Sequence, residues 1–331
     1  MNNFIKQKLL ILLILTGFTG KISAQSGKDF TPGGKPVFLL FTNVHSGLNT
    51  EGYSPAFEIT RLYLGYEYSF TRSLSARANI DIGDPGVGNL KMTAYVKNAF
   101  LQYKTESFSG RIGMIGTDGF NLIERQWNYR YISKTLQDEF GLGPSADLGA
   151  AFEYSPAHFI SFDASVLNGE GYKNIQSDST FKYTLGVTLK PFEGFLLRGY
   201  TDFMKKDKLQ NTISIFAGYT HESLRLGLEY SYQKNNRMVS GHDFSGISAF
   251  ASLNIAKSSA LVGRYDNMQS TKVDNSFVPW NYGRDGQLFM AGYEYSPVKG
   301  IRIAPVFTGW LPANSDKPFT FTPGIYFEIR L

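Results

Sequence analysis

The feature that most limits what this chain can become is a period-two alternation of apolar and polar residues, recurring along most of its 331 positions. Leu74, Ala76, Ala78, Ile80 and Ile82 are apolar, while Ser75, Arg77, Asn79 and Asp81 between them are polar. Leu62, Leu64, Tyr66, Tyr68 and Phe70 stand in the same relation to Arg61, Tyr63, Gly65 and Glu67. Further on, Leu224, Leu226, Leu228, Tyr230 and Tyr232 alternate with Arg225, Gly227, Glu229, Ser231 and Gln233. Successive side chains of a strand point to opposite faces, so each segment reads as a strand with one wet face and one greasy one.

Continued along the chain, this reading predicts about sixteen strands. They start near Pro36, Phe57, Leu74, Tyr95, Phe108, Ala146, Phe159, Lys182, Phe195, Thr212, Leu224, Gly246, Ala260, Gln287, Ile301 and Gly324. Short turns, such as Thr71 to Ser73, Thr105 to Ser107 and His221 to Ser223, alternate with longer connections rich in Gly and Asn. Short turns on one rim and long loops on the other are the pattern of a transmembrane antiparallel β-barrel, with an even strand number and periplasmic turns. Aromatic residues gather beside the short turns, among them Tyr68, Phe70, Tyr103, Phe108, Tyr154, Phe159, Phe195, Tyr293 and Tyr295. They suit a headgroup girdle, although cross-strand aromatic packing would serve any sheet.

The first residues carry Lys6 and Lys8, then an apolar run from Leu9 to Leu15, then Ile22-Ser23-Ala24. This predicts a secretory signal over residues 1–24 cut after Ala24, a short periplasmic segment over 25–35, and the barrel over 36–331. The formal charge of +5 loses Lys6, Lys8 and Lys21 with that segment and no acid, leaving +2. Charges of both signs are interspersed, so nucleic acid is not an expected partner. There is no Cys, which removes thiol nucleophiles, thiolate metal sites and disulfide staples.

The four histidines, His45, His158, His221 and His242, fall in turns and outer loops without an evident serine and acid on a shared face. No spacing matches a zinc site, and pairs such as Gly86 and Gly88 are turn residues with no helix behind them. Neither a catalytic group, a metal nor a cofactor is expected.

Three segments carry a resemblance: Phe57-Glu-Ile-Thr-Arg-Leu-Tyr63, Val96-Lys-Asn-Ala-Phe-Leu-Gln-Tyr103 and Glu124-Arg-Gln-Trp-Asn-Tyr-Arg-Tyr131. Through them the chain resembles the phosphate-selective porin family over nearly all of its mature length. That resemblance implies a trimeric, sixteen-stranded outer-membrane barrel whose third loop folds into the lumen and narrows a passive pore for small hydrophilic or anionic solutes. The longest connection, Thr117 to Ser145, is the third outer loop by this count. Its Arg125, Arg130 and Lys134 are candidates to line the constriction, with Trp127, Tyr129 and Tyr131 packing it to the wall, unless the loop simply stays on the surface.

A second candidate set lies on the water faces near the short-turn ends of ascending strands: Arg77, Arg111, Arg198, Arg225, Arg264 and Arg302. They form either a basic ring in the lumen or one side of cross-strand pairs with Glu67, Glu153, Glu294 and Glu328. The expected function is diffusion through the outer membrane of a Gram-negative cell, among lipid and lipopolysaccharide, with a weak leaning toward anions. Two other classes stay open: a barrel hydrolase of the same membrane, and a secreted all-β binding protein. Leu331 ends the last strand where such barrels usually carry an aromatic residue.

Overall fold

The computed structural model describes residues 30–84, 91–273 and 276–331; the predicted export signal over 1–24 and the Gly86–Gly88 pair lie outside them. Sixteen strands follow one another among the described residues. They are β1 (Gly33–Asn49), β2 (Gly52–Ser69), β3 (Leu74–Gly83), β4 (Thr93–Lys104), β5 (Phe108–Gly116), β6 (Ala146–Ala157), β7 (Ile160–Leu167) and β8 (Lys182–Leu189), then β9 (Phe195–Lys205), β10 (Leu209–His221), β11 (Leu224–Lys234), β12 (Phe244–Ala256), β13 (Ser259–Ser270), β14 (Gly286–Val298), β15 (Ile301–Pro312) and β16 (Thr320–Arg330). Every strand pairs antiparallel with its sequence neighbours, and β16 closes on β1 through pairs such as Leu40 with Ile329 and Thr42 with Phe327. Closure satisfies the backbone of every strand on both sides, as a bilayer demands.

The strands begin within a few residues of the predicted positions, β1 three residues before Pro36. One expectation fails. The outer connections are not uniformly long, because β1 and β2 run on for 17 and 18 residues and meet at Thr50 and Glu51, while β9 and β10 meet at Lys206 to Lys208. At these two places extended hairpin stands in for loop. The large side chains of the outward phase meet the bilayer: Leu185, Ile215, Leu228 and Phe307 are each more than half exposed in the isolated chain. Beside the short turns the girdle rings touch one another, Tyr68 with Phe70 at 5.0 Å and Phe192 with Phe195 at 4.9 Å.

Of the register shifts among the described strands, the three beside short turns lie at strand ends, and two fall within β2 and β4. Phe41 pairs with Arg61 but Thr42 with Ile59, so Thr60 is the extra residue of β2. Asn79 pairs with Asn98 but Ile80 with Val96, so Lys97 is the extra residue of β4. A bulge reverses the in-and-out phase beyond it. Accordingly Leu64 and Tyr66 face outward below Thr60, whereas Phe57 and Ile59 face outward above it.

Candidate functional site

Thr117 to Ser145 enters the barrel. It contains two helices, α1 (Asp118–Trp127) and the single-turn α2 (Leu136–Glu139). Helix α1 is amphipathic: Ile123 and Trp127, one turn apart, are buried against the wall, while Asn121, Glu124 and Arg125 border open space. Asp118 in its first turn complements the helix dipole and takes both contacts from Arg111, at 2.7 Å each. Asn128 ends the helix in the left-handed conformation, φ 61°, its N–H donating to the Glu124 carbonyl, and so turns the chain back along the wall.

The loop is held by an apolar cluster inside the lumen, where Trp127, Tyr129 and Tyr131 pack with Phe41, Phe216, Phe250, Met290 and Val306. Trp127 meets the Phe250 ring at 5.2 Å and donates its indole N–H to the Ser133 carbonyl at 2.9 Å. The end of the Phe250 ring in turn packs on Gly227, where any Cβ would strike it. Burying side chains of this size contributes about 2 to 3 kcal/mol each, enough to fix a loop that would otherwise lie on the surface.

The six arginines placed on the wet face by sequence do not form one ring around an opening. Four of them clamp the loop's backbone. Arg198 donates to the Asp118 carbonyl (2.9 Å), Arg225 to Arg125 and Gln126 (3.3 Å each), Arg302 to Asn128 (2.8 Å) and Arg264 to Lys134 (2.5 Å). Arg225 and Arg302 thereby meet carbonyls at the negative end of α1. Acids neutralise the buried members: Asp163 lies 2.6 Å from Arg198, Asp266 2.5 Å from Arg264, and Glu294 and Glu328 at 2.5 and 3.7 Å from Arg302. Glu294 also accepts from the Tyr131 hydroxyl at 2.7 Å. Glu67 sits between Lys35 and Arg77, whereas Glu153 stands opposite Asp163 in the register and has no arginine across from it. Arg77 and Arg111 border open space.

That space lies on the other side of the loop, against β1 to β5. An outer cavity of about 680 Å³ carries Arg61, Lys91, Arg130, Lys134 and Lys173 against Glu58, Asp84 and Glu139. An inner cavity of about 470 Å³ carries Arg77, Lys97, Arg111, Arg125, Arg130 and Arg330 against Glu124 and Glu328. Arg130 borders both. Its guanidinium is 2.8 Å from Glu124 and 2.7 Å from Asp138. Across from it, Arg61 lies 3.0 Å from Asp81, and Lys97 donates to the Ser145 hydroxyl.

Burial alone would disfavour the Arg130 charge, but Asp138 and Glu124 outweigh it and hold the guanidinium more firmly protonated than usual. The two carboxyls divide unequally. Burial pushes Glu124 above the ordinary glutamate range despite Arg130, while the same burial at Asp138 is overcome by Arg130 and that group stays ionised further into acid.

Arg125, Arg130 and Lys134 thus line the two cavities and Trp127, Tyr129 and Tyr131 are the wall anchors. Sequence reasoning placed Arg61 and Asp81 on the wet face without assigning either to the constriction around Arg130, and missed Lys97. The signal for Lys97 was present: below the bulge Leu101 faces lipid, and the same phase would carry a lysine into the bilayer beside Val96. An ammonium there is costly, so the strand had to break step.

No protein-family model and no curated protein sequence matches the chain. Solved structures do. OprB of Pseudomonas putida superposes with a TM-score of 0.70 at 8% identity, over 90% of this chain and 94% of that one. The outer membrane channel DcaP of Acinetobacter baumannii gives 0.66 at 10% identity, over 91% and 97%. OmpT, an outer membrane protein of Vibrio cholerae solved in a trimer form, gives 0.56 at 15% identity, over 90% and 100%. At such identities the likeness concerns the fold: a sixteen-stranded antiparallel barrel of the outer-membrane type, crossing with strands.

Proposed function

We propose that this chain is a porin of the Gram-negative outer membrane, passing small hydrophilic solutes by diffusion with a weak preference for anions. The observation that carries the reading is the pair of cation-rich cavities meeting at Arg130 inside a closed barrel. Donors along such a wall replace part of the hydration an anion sheds at a constriction. The mixed lining favours a general pore over strict phosphate selection, since Glu124, Asp138 and Asp81 stand beside the cations of the pinch. Export with cleavage after Ala24, contact of the outer belt with lipid and lipopolysaccharide, and assembly as a homotrimer like the trimeric OmpT belong to the same proposal.

Folded protein reconstituted into planar bilayers is expected to give stepwise conductance, and a KCl gradient a reversal potential on the anion side. Folded protein that gives no steps sinks the pore; steps with a cation-side reversal potential sink the preference.

A further inference from the structure

We propose that the inner cavity is a binding site for aromatic carboxylates, flat organic anions of the benzoate class; this deepens the pore reading above and rests on it. The cavity, about 470 Å³, is within the size range of small-molecule sites, and two kinds of surface line it. Leu39 of β1 and Tyr63 of β2 are cross-strand partners, and with Phe100 of β4 they put half-buried apolar side chains on its wall. Arg77, which pairs with Phe100 in the register, borders the same cavity, as do Arg111 and Arg330. Inorganic phosphate or chloride would use only the charged surface. An aromatic carboxylate uses both, its ring shedding water against the apolar side chains and its charge meeting the guanidinium groups.

Arg125 supplies the anchor. Asn121, Glu124, Arg125 and Asn128 border this cavity from α1 and its cap, and Arg225 holds the Arg125 carbonyl at 3.3 Å, so the backbone is fixed while the exposed side chain faces open space. The other arginines that border either cavity already have acceptors. Arg61 has Asp81, Arg77 has Glu67 and Asn79, Arg111 has Asp118, Arg130 has Glu124 and Asp138, and Arg330 has Glu328. The Arg125 guanidinium has no acceptor among the described residues, so its planar fork of donors is open to a carboxylate. An anion that binds there breaks no ion pair of the protein.

The test measures the concentrations of sodium benzoate, sodium acetate and benzamide that half-block the KCl current through wild type, Arg125→Gln and Leu39→Gln, each first shown to be folded by its heat-modifiable gel mobility. In wild type, benzoate is expected to bind about tenfold more tightly than acetate, which lacks the ring, and than benzamide, which lacks the charge. Arg125→Gln should weaken benzoate about fivefold or more and leave benzamide unchanged. Leu39→Gln should weaken benzoate about threefold or more and leave acetate unchanged. In proteoliposomes, benzoate influx should saturate while acetate influx stays linear over the same concentrations. Channels that conduct but distinguish benzoate from acetate in neither measurement overturn the site and leave the pore standing, as does benzoate binding that both variants leave at the wild-type value. Folded wild type that fails to conduct overturns the pore, and the site with it.

Discussion

Neutralising Arg130 and neutralising Glu124 should push ion selectivity in opposite directions, by an amount the geometry sets. Arg61, Lys97 and Arg130 are matched at the constriction around Arg130 by Asp81, Glu124 and Asp138, so its formal charge is zero; the other charges of the outer cavity also cancel, and those of the inner cavity remain positive. Arg130→Gln leaves −1 and Glu124→Gln leaves +1. The two side chains keep 18% and 20% of their accessible surface, so the path's water reaches both. A monovalent ion passing about 6 Å from one unit charge gains or loses about 0.7 kcal/mol in a medium as polar as water, and about half of that survives at physiological salt.

Because an anion and a cation shift in opposite senses, the permeability ratio should change about threefold per charge at physiological salt and about tenfold at low salt. Reversal potentials across a KCl gradient measure this directly. Arg130→Gln should move them toward cations and Glu124→Gln toward anions, while Arg72→Gln, an exposed charge in a short turn, should move nothing. If both pinch variants shift the potential the same way, or neither moves it at either salt, solutes do not pass Arg130 and the assigned path is wrong.

Acidification should strengthen anion preference before ordinary glutamates titrate. Glu124 takes its proton above the usual range while Asp138 stays ionised, so the pinch goes from zero to +1 as pH falls, and Glu124→Gln should abolish the effect. Trp127→Ala removes the largest buried anchor of the third loop and should cost about 3 to 5 kcal/mol of local stability; raised conductance and faster proteolysis within residues 117–145 report it, and an unchanged loop refutes the anchoring. Gly227→Ala forces Phe250 off its seat and should destabilise the loop by about 1 to 3 kcal/mol, read by the same proteolysis; wild-type resistance would mean that the ring has somewhere else to go.

The barrel was legible because its constraint is local and repeated. Leu224 to Gln233 states its own in-and-out pattern, and His221 to Ser223 its own turn, so register followed without knowledge of any distant residue. The third loop was partly legible, since Trp127, Tyr129 and Tyr131 in one long connection need burial and the lumen is where a barrel offers it. What the pattern concealed is the division of labour among cations. Arg77 and Arg198 occupy equivalent positions near the starts of β3 and β9, yet one borders the inner cavity and the other is buried beneath α1.

Only the path of the loop decides between those fates, and the loop's path depends on apolar contacts with β10, β12, β14 and β15 far along the chain. Lys97 was hidden for a different reason. It lies at a bulge, where one added residue resets the phase that the rest of the strand obeys. In a barrel, departures from period two are therefore the places to search for function. A polar side chain on the lipid phase either costs stability or marks a bulge that turns it into the pore, and Lys97 shows the second outcome.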